Sequence, residues 1–181
     1  MKKTEKVTAI LTLILFIPLI YLLVKNIHDV DNVVQRAGLA APLVLVFFYG
    51  LFALTPVSTD PLTIISGVMF GPWFGIIISW VGNMTAATVE YYFGSHISRI
   101  TKRRLTKNIL PFGLHRLPVN SPWFLILGRL IPGYGGKIIS VMAGMERVEI
   151  KLYLWTTMVT NFFGSVLLAS GGYHLIRFLK L

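Results

Sequence analysis

Four ionisable residues stand inside sequence that is otherwise apolar: Asp60, Glu90, Arg129 and Lys137. Each costs several kcal/mol in hydrocarbon unless it finds a partner or water. The stretch GRLIPGYGGK, ending at Lys137, is the most informative. Gly133, Gly135 and Gly136 leave backbone N–H groups uncovered, and a half-helix starting just after them adds positive dipole. Arg129 and Lys137 flank the turn with full positive charge. This combination predicts an anion site whose natural occupant is a phosphate. Arginine suits two phosphate oxygens at once, whereas lysine acts as a point charge. The simpler reading is a tight turn made by glycines, with Arg129 paired to Asp60. The motif is neither a Walker loop nor a dinucleotide fingerprint.

Asp60 followed by Pro61 reads as a helix start, with Asp at the N-cap and Pro at N1. A functional reading adds pairing to Arg129 or Lys137, or a proton step. Glu90 lies near the end of its apolar span, about two turns before Arg99. Snorkelling or a local ion pair explains it there, and a proton relay is the alternative. Asn83 and Asn161 are placed to brace or cap by hydrogen bonds. Trp73, Trp123 and Trp155 read as interfacial anchors. His96, His115 and His174 have no metal-ligand spacing, so no metal is expected. With Cys 0, disulfides, thiolate catalysis and cysteine metal sites are excluded. No Ser/His/Asp or di-histidine pattern is present, so the expectation is no catalytic residue, no cofactor and no enzyme.

The elements that hold these residues are set by composition. The chain has 181 residues, 55% hydrophobic and 13% charged, with a mean hydropathy of +0.72. Soluble domains carry about a quarter charged residues, so the bilayer must solvate most of this chain. Lys+Arg 17 against Asp+Glu 7 gives +10. Lys2, Lys3 and Lys6 precede the first apolar run, and Arg99, Lys102, Arg103, Arg104, Lys107 and Arg116 share one acid-free stretch. Both clusters predict cytoplasmic segments near anionic headgroups, not nucleic-acid binding.

Val7 to Val24 reads as an uncleaved anchor and not a signal peptide. Apolar arms Pro42 to Leu54 and Leu62 to Phe70 flank the breaker-rich turn Thr55 to Pro61 and end at Gly71-Pro72. Trp73 to about His96 is a full span. Trp123 to Leu130 and Ile138 to Gly144 flank a second such turn, and Leu152 to Ile176 is the last span. Arms too short to cross, joined by helix breakers, predict re-entrant hairpins. The expected fold is all-α: about three transmembrane helices plus two re-entrant hairpins. The expected units are an anchor with connector over 1–36, a first repeat over 37–97, a basic cytoplasmic loop over 98–120 and a second repeat over 121–181.

The repeat rests on Pro56, Gly67, Asn83 and Gly94 in the first copy and Pro132, Gly144, Asn161 and Gly172 in the second. One long helix separates the copies, so they are inverted relative to each other, as in many transporters. With a cytoplasmic N-terminus, hairpin one opens outside and hairpin two inside, which leaves Arg177 and Lys180 outside.

LTPVSTDPLTIISG with FGPWFG, and later GRLIPGYGGKIISVMAG, resemble the DedA superfamily, also known as the VTT-domain or SNARE-associated Golgi protein family. The resemblance spans Pro42 to Gly172. It implies two oppositely oriented re-entrant hairpins facing each other, and links to lipid flipping or scrambling, polyprenyl-phosphate recycling and proton-dependent transport. Asp60 matches the family's hairpin-one acid and Arg129 its first hairpin-two arginine. The second arginine is missing near Gly135, where Lys137 stands in. An acid that many members carry near FFYG is replaced by Tyr49 and Gly50, which points toward the Tvp-type branch. The resulting expectation is a multi-pass plasma-membrane protein that moves a polyprenyl phosphate or phospholipid between leaflets. Its partners are then membrane lipids, anionic or phosphorylated, and a homo-oligomer is compatible. The rivals are a proton- or cation-coupled solute transporter and a structural membrane subunit.

Overall fold

A computed structural model describes residues 38, 40–55, 57–101, 117–131 and 133–179. The expected anchor over 1–36, most of the basic loop, and the hairpin residues Pro56 and Pro132 lie outside the described residues. The described elements are helices: α1 Ala40–Ala53, α2 Asp60–Thr101, α3 Pro122–Arg129, α4 Gly135–Met145 and α5 Ile150–Leu179.

α1 is apolar on every side, yet only Ala41, Leu45, Tyr49 and Ala53 are buried. Their spacing of four marks one packed stripe. Leu43, Val44, Phe47, Phe48 and Leu51 remain exposed, which suits a helix with lipid on its other faces.

α2 is two helices, not one rod. Gly71 sits at φ 75 and ψ 174, and Pro72 follows it. The positive φ needs glycine, and the proline removes a donor, so the helical ladder stops there. The chain then folds back: a Cβ on Gly75 would lie 2.6 Å from the Gly67 Cα. We call the arms α2a (60–70) and α2b (72–101). Hairpin one is α1 with α2a, and the Tyr49 hydroxyl meets the Thr63 hydroxyl at 3.0 Å between them.

Hairpin two is α3 with α4. α4 ends in a Schellman turn: the Arg147 N–H donates to the Gly144 carbonyl at 3.1 Å and the Val148 N–H to the Ala143 carbonyl at 2.9 Å. Arg147 takes the left-handed position at φ 52, where glycine is usual. It holds the place in copy two that Gly71 holds in copy one, so each hairpin hands over to its long helix through a positive-φ residue.

The repeat anchors become cross-copy contacts. A Cβ on Gly67 would lie 1.9 Å from the Ala169 carbonyl oxygen, and one on Gly144 would lie 1.9 Å from the Tyr91 carbonyl oxygen. A Cβ on Gly94 would reach the Val141 oxygen at 2.2 Å, and one on Gly172 the Ile64 Cγ2 at 2.7 Å. Each returning arm therefore packs on the other copy's long helix, backbone against backbone. The hairpins open at opposite ends of the molecule. Each has its own core, one around Tyr49, Leu62 and Ile78 and one around Phe124, Ile139, Val148 and Tyr153.

Two helical stretches are long and apolar enough to cross a membrane, and only 28% of each apolar window is buried. The core helix of a soluble protein would be mostly buried. The reversal at Gly71 shortens the first to α2b, still roughly 45 Å long, against about 30 Å of hydrocarbon. Trp73 is exposed at one end of α2b, while Trp123 and Trp155 are exposed at the opposite end of the molecule.

Gly144→Ala and Gly67→Ala drive a methyl into a backbone carbonyl that cannot rotate away. Each is expected to cost about 3 kcal/mol, the upper end of overpacking effects, read as a lowered melting temperature in detergent. Gly171, whose Cβ meets nothing within 4 Å, is the control, and Gly171→Ala is expected to melt like wild type. Equal melting of all three variants would refute the cross-copy packing.

Candidate functional site

The residues singled out by charge converge on one cavity of about 610 Å³. Asp60, Glu90, Arg129 and Lys137 all line it, as do Asn83, Asn161, Gly133 and Gly136. It lies where the two hairpin tips meet, beside the middle of α2b and of α5.

The tip of hairpin one contributes Ser58, Thr59 and Asp60. Thr59, not Asp60, is the N-cap: its carbonyl accepts from the Thr63 N–H at 3.2 Å. Asp60 is the first helical residue and Pro61 the second, one place later than the sequence suggests. Both places lack an intrahelical donor requirement, so the proline is tolerated at either. The Asp60 N–H donates to the Ser58 hydroxyl at 3.2 Å. Asn83 braces this tip: its Oδ1 accepts from the Thr59 hydroxyl at 2.8 Å, and its Nδ2 donates to Thr63 Oγ1 at 3.1 Å. Asn161, its repeat equivalent, does not hold hairpin two. Its Nδ2 points to Met84 Sδ at 3.9 Å.

Glu90 does not snorkel toward Arg99. It is 5% exposed, turned inward, and its Oε1 lies 3.6 Å from Lys137 Nζ. A buried carboxylate needs a paired cation, and hairpin two brings one to it while Arg99 stays exposed.

Lys137 itself is largely committed. Its ammonium donates to the carbonyls of Phe52 at 2.8 Å, Thr55 at 2.5 Å and Val57 at 2.9 Å. An ammonium has three donors, so these bonds use them on hairpin one. Lys137 is a strut between the tips, which departs from its expected part as a phosphate ligand.

Arg129 ends α3. Its Nη2 donates to the Ser140 hydroxyl at 3.0 Å, and Ser140 donates onward to the Gly136 carbonyl at 2.7 Å. The guanidinium carbon stands 5.2 Å from the Tyr153 ring centroid, a cation–π distance. Its Nε is buried with no hydrogen-bond partner. No ion pair joins it to Asp60. Arg129 is thus held on one side and carries an uncommitted buried donor.

The glycines divide. Gly133 has φ 83, which the turn requires. Gly136 lines the cavity, and a Cβ there would touch Arg129 Nη1 at 3.8 Å. Gly135 does not line it: a Cβ would strike the Gly128 carbonyl oxygen at 2.5 Å, so its part is packing within the hairpin. The sequence reading missed Ser140 and Tyr153, which hold Arg129, and Thr160 and Gly164, which line the α5 wall. Ser140 lies three residues after Lys137 and four after Gly136, a same-face spacing that was available as a signal. Among the described residues no group of three His, Asp or Glu is placed to hold a metal.

The family model described as the VTT domain matches residues 55–174 of this chain. That segment runs from the first hairpin tip to near the end of α5 and contains every charged residue of the cavity. No curated protein and no solved structure matches.

Lys137→Met leaves Glu90 uncompensated and the Thr55 and Val57 carbonyls without their donor. Breaking one side of a buried pair costs about 3–5 kcal/mol, so a large drop in melting temperature is expected. Adding Glu90→Gln should recover part of it in a double-mutant cycle. Strictly additive losses would show that the two side chains do not interact.

Proposed function

This chain belongs to the VTT-domain family, the domain of the DedA and SNARE-associated Golgi proteins, and from that premise we propose that it is an integral membrane transporter that flips or scrambles a phosphorylated lipid between leaflets. The observation that carries the reading is that Arg129, whose buried Nε no protein group satisfies, lines a cavity beside the middle of two membrane-length helices. In this reading both hairpins re-enter the membrane from opposite faces and their tips meet near the midplane. Arg129 takes the phosphate, and the N–H groups around Gly133 and Gly136 add oriented dipoles. Asp60 and the Glu90–Lys137 pair balance the charge, and the lipid tails stay in the bilayer while the head passes. Equilibration between leaflets needs no energy source. The protein then sits in the plasma membrane with its N-terminus and basic loop in the cytoplasm, following the distribution of lysine and arginine. Tyr49, bonded to Thr63 where many members carry an acid, supports the Tvp-type branch. No covalent chemistry is asked of any residue.

A second reading, a proton- or cation-coupled solute transporter, draws on Asp60 and Glu90 lining the same cavity. It requires uptake driven by a pH or ion gradient and abolished by Asp60→Asn.

The test is purified protein in vesicles carrying acyl-labelled phosphatidic acid or a labelled polyprenyl phosphate on one leaflet. Faster leaflet exchange than in empty vesicles is expected. Arg129→Ala should slow it about tenfold or more, the worth of a hydrogen bond to a charged group. No acceleration by the wild type would refute lipid transport. Full activity in Arg129→Ala would refute the phosphate site and favour a structural subunit or the solute reading.

A further inference from the structure

We infer that the cavity opens sideways into the bilayer along a seam between α5 and the tip of hairpin two, and that Gly164 at the floor of this seam sets the size of headgroup admitted. The inference rests on the transport reading above and adds a portal and a selectivity residue to it.

Val159, Phe163 and Leu167 recur every four residues on α5, so they share one face. All three line the cavity, yet they are 42%, 63% and 74% exposed. A wall that both lines a cavity and faces the surroundings is the lip of an opening. Hairpin two supplies a further exposed apolar residue of the lining, Leu130, 66% exposed, and Gly133 lines the same cavity. These exposed residues are apolar, and the charged groups lie behind them. An amphiphile fits this order: acyl chains against the lips, a phosphate-bearing head inside. A free polar solute gains nothing from apolar lips at this depth.

Gly164 follows Phe163 on the same wall and lines the cavity. A Cβ there meets no atom within 4 Å, so an added side chain occupies cavity space without displacing a neighbour. Gly171, on the same helix, is equally open but is exposed and away from the cavity. The two glycines form a matched pair that differs in whether the added group enters the headgroup space.

The experiment compares two acyl-labelled lipids that share a phosphate and differ in head size, phosphatidic acid and phosphatidylinositol, in vesicles with the full chain. Gly164→Leu is expected to slow phosphatidylinositol exchange about tenfold, the low end of what a hydrophobic pocket discriminates. Phosphatidic acid should be affected far less, and Gly171→Leu should leave both rates at wild type. The chain has no cysteine, so Gly164→Cys offers a route independent of folding. Alkylation after reconstitution with groups of increasing length should remove phosphatidylinositol exchange first, while Gly171→Cys stays insensitive. Equal slowing of both lipids by Gly164→Leu, or by Gly164→Ala, would make the position a hinge and overturn the filter. Wild-type rates in Gly164→Leu and in alkylated Gly164→Cys would overturn it too. A wild type that accelerates neither lipid overturns the transport reading and this inference with it.

Discussion

A helix end leaves carbonyls without an intrahelical partner, and the chain that leads away from it carries more carbonyls that need a donor. α1 ends at Ala53, and just beyond it the Thr55 and Val57 carbonyls take their donor from the other half of the molecule. Lys137 reaches from the first turn of α4 to the carbonyls of Phe52, Thr55 and Val57. A cation in the first turn of its own helix opposes that helix's dipole, but its head rests at the C-terminus of α1, where a cation is favourable. The geometry settles the conflict by length: the stem crosses from the wrong end of one helix to the right end of another. Glu90 then lies 3.6 Å away on α2b and balances the charge. One side chain thereby joins α1, α2b and α4, and the cavity exists because these three are held at fixed separation.

The cross-copy glycines impose the same discipline on the backbone. Gly67 against Ala169 and Gly144 against Tyr91 are contacts at which no Cβ fits. Lipid offers no hydrophobic drive for helices to associate, so close van der Waals approach between small residues must supply it. Each hairpin is pressed onto the long helix of the other copy, so neither copy forms a complete structure by itself. Opposite opening follows, since hairpins that opened at the same end would place both glycine pairs on the same half of the long helices.

Much of this was legible beforehand because it is local. The break at Gly71-Pro72 and the four repeat glycines, Gly67, Gly94, Gly144 and Gly172, are short-range features of the sequence, and the structure puts a reversal at the first and close cross-copy contacts at the others. The four charged residues were singled out by the cost of burying them, and they do share one cavity. What sequence spacing missed is what other elements decide. Arg99 is the obvious neighbour of Glu90 along the chain, but hairpin two delivers Lys137 to its inward face. Lys137 and Arg129 look equivalent as flanking cations, yet only the folded arrangement shows one of them occupied by carbonyls. Gly135 is indistinguishable from Gly136 in the row of glycines. Helical rotation of about 100° per residue turns one toward Gly128 and the other toward the guanidinium.

In the proposed transport, the division of labour between Lys137 and Arg129 bears on how an anion is admitted and still released. A passage site must bind well enough to admit its cargo and weakly enough to let it go. Two free guanidinium or ammonium groups at this depth would hold a phosphate tightly. Here Lys137 is bonded elsewhere and Glu90 stands beside it, so the cavity's charges cancel in sign: Arg129 and Lys137 against Asp60 and Glu90. Arg129 is partly solvated by protein, through Ser140 and the Tyr153 ring, which lowers the cost of leaving it without an anion between encounters. Its Nε still has a donor to give. A guanidinium held on one side, uncommitted on the other and set in a charge-balanced cavity is suited to brief capture of a phosphate, with neither entrance nor release deeply uphill.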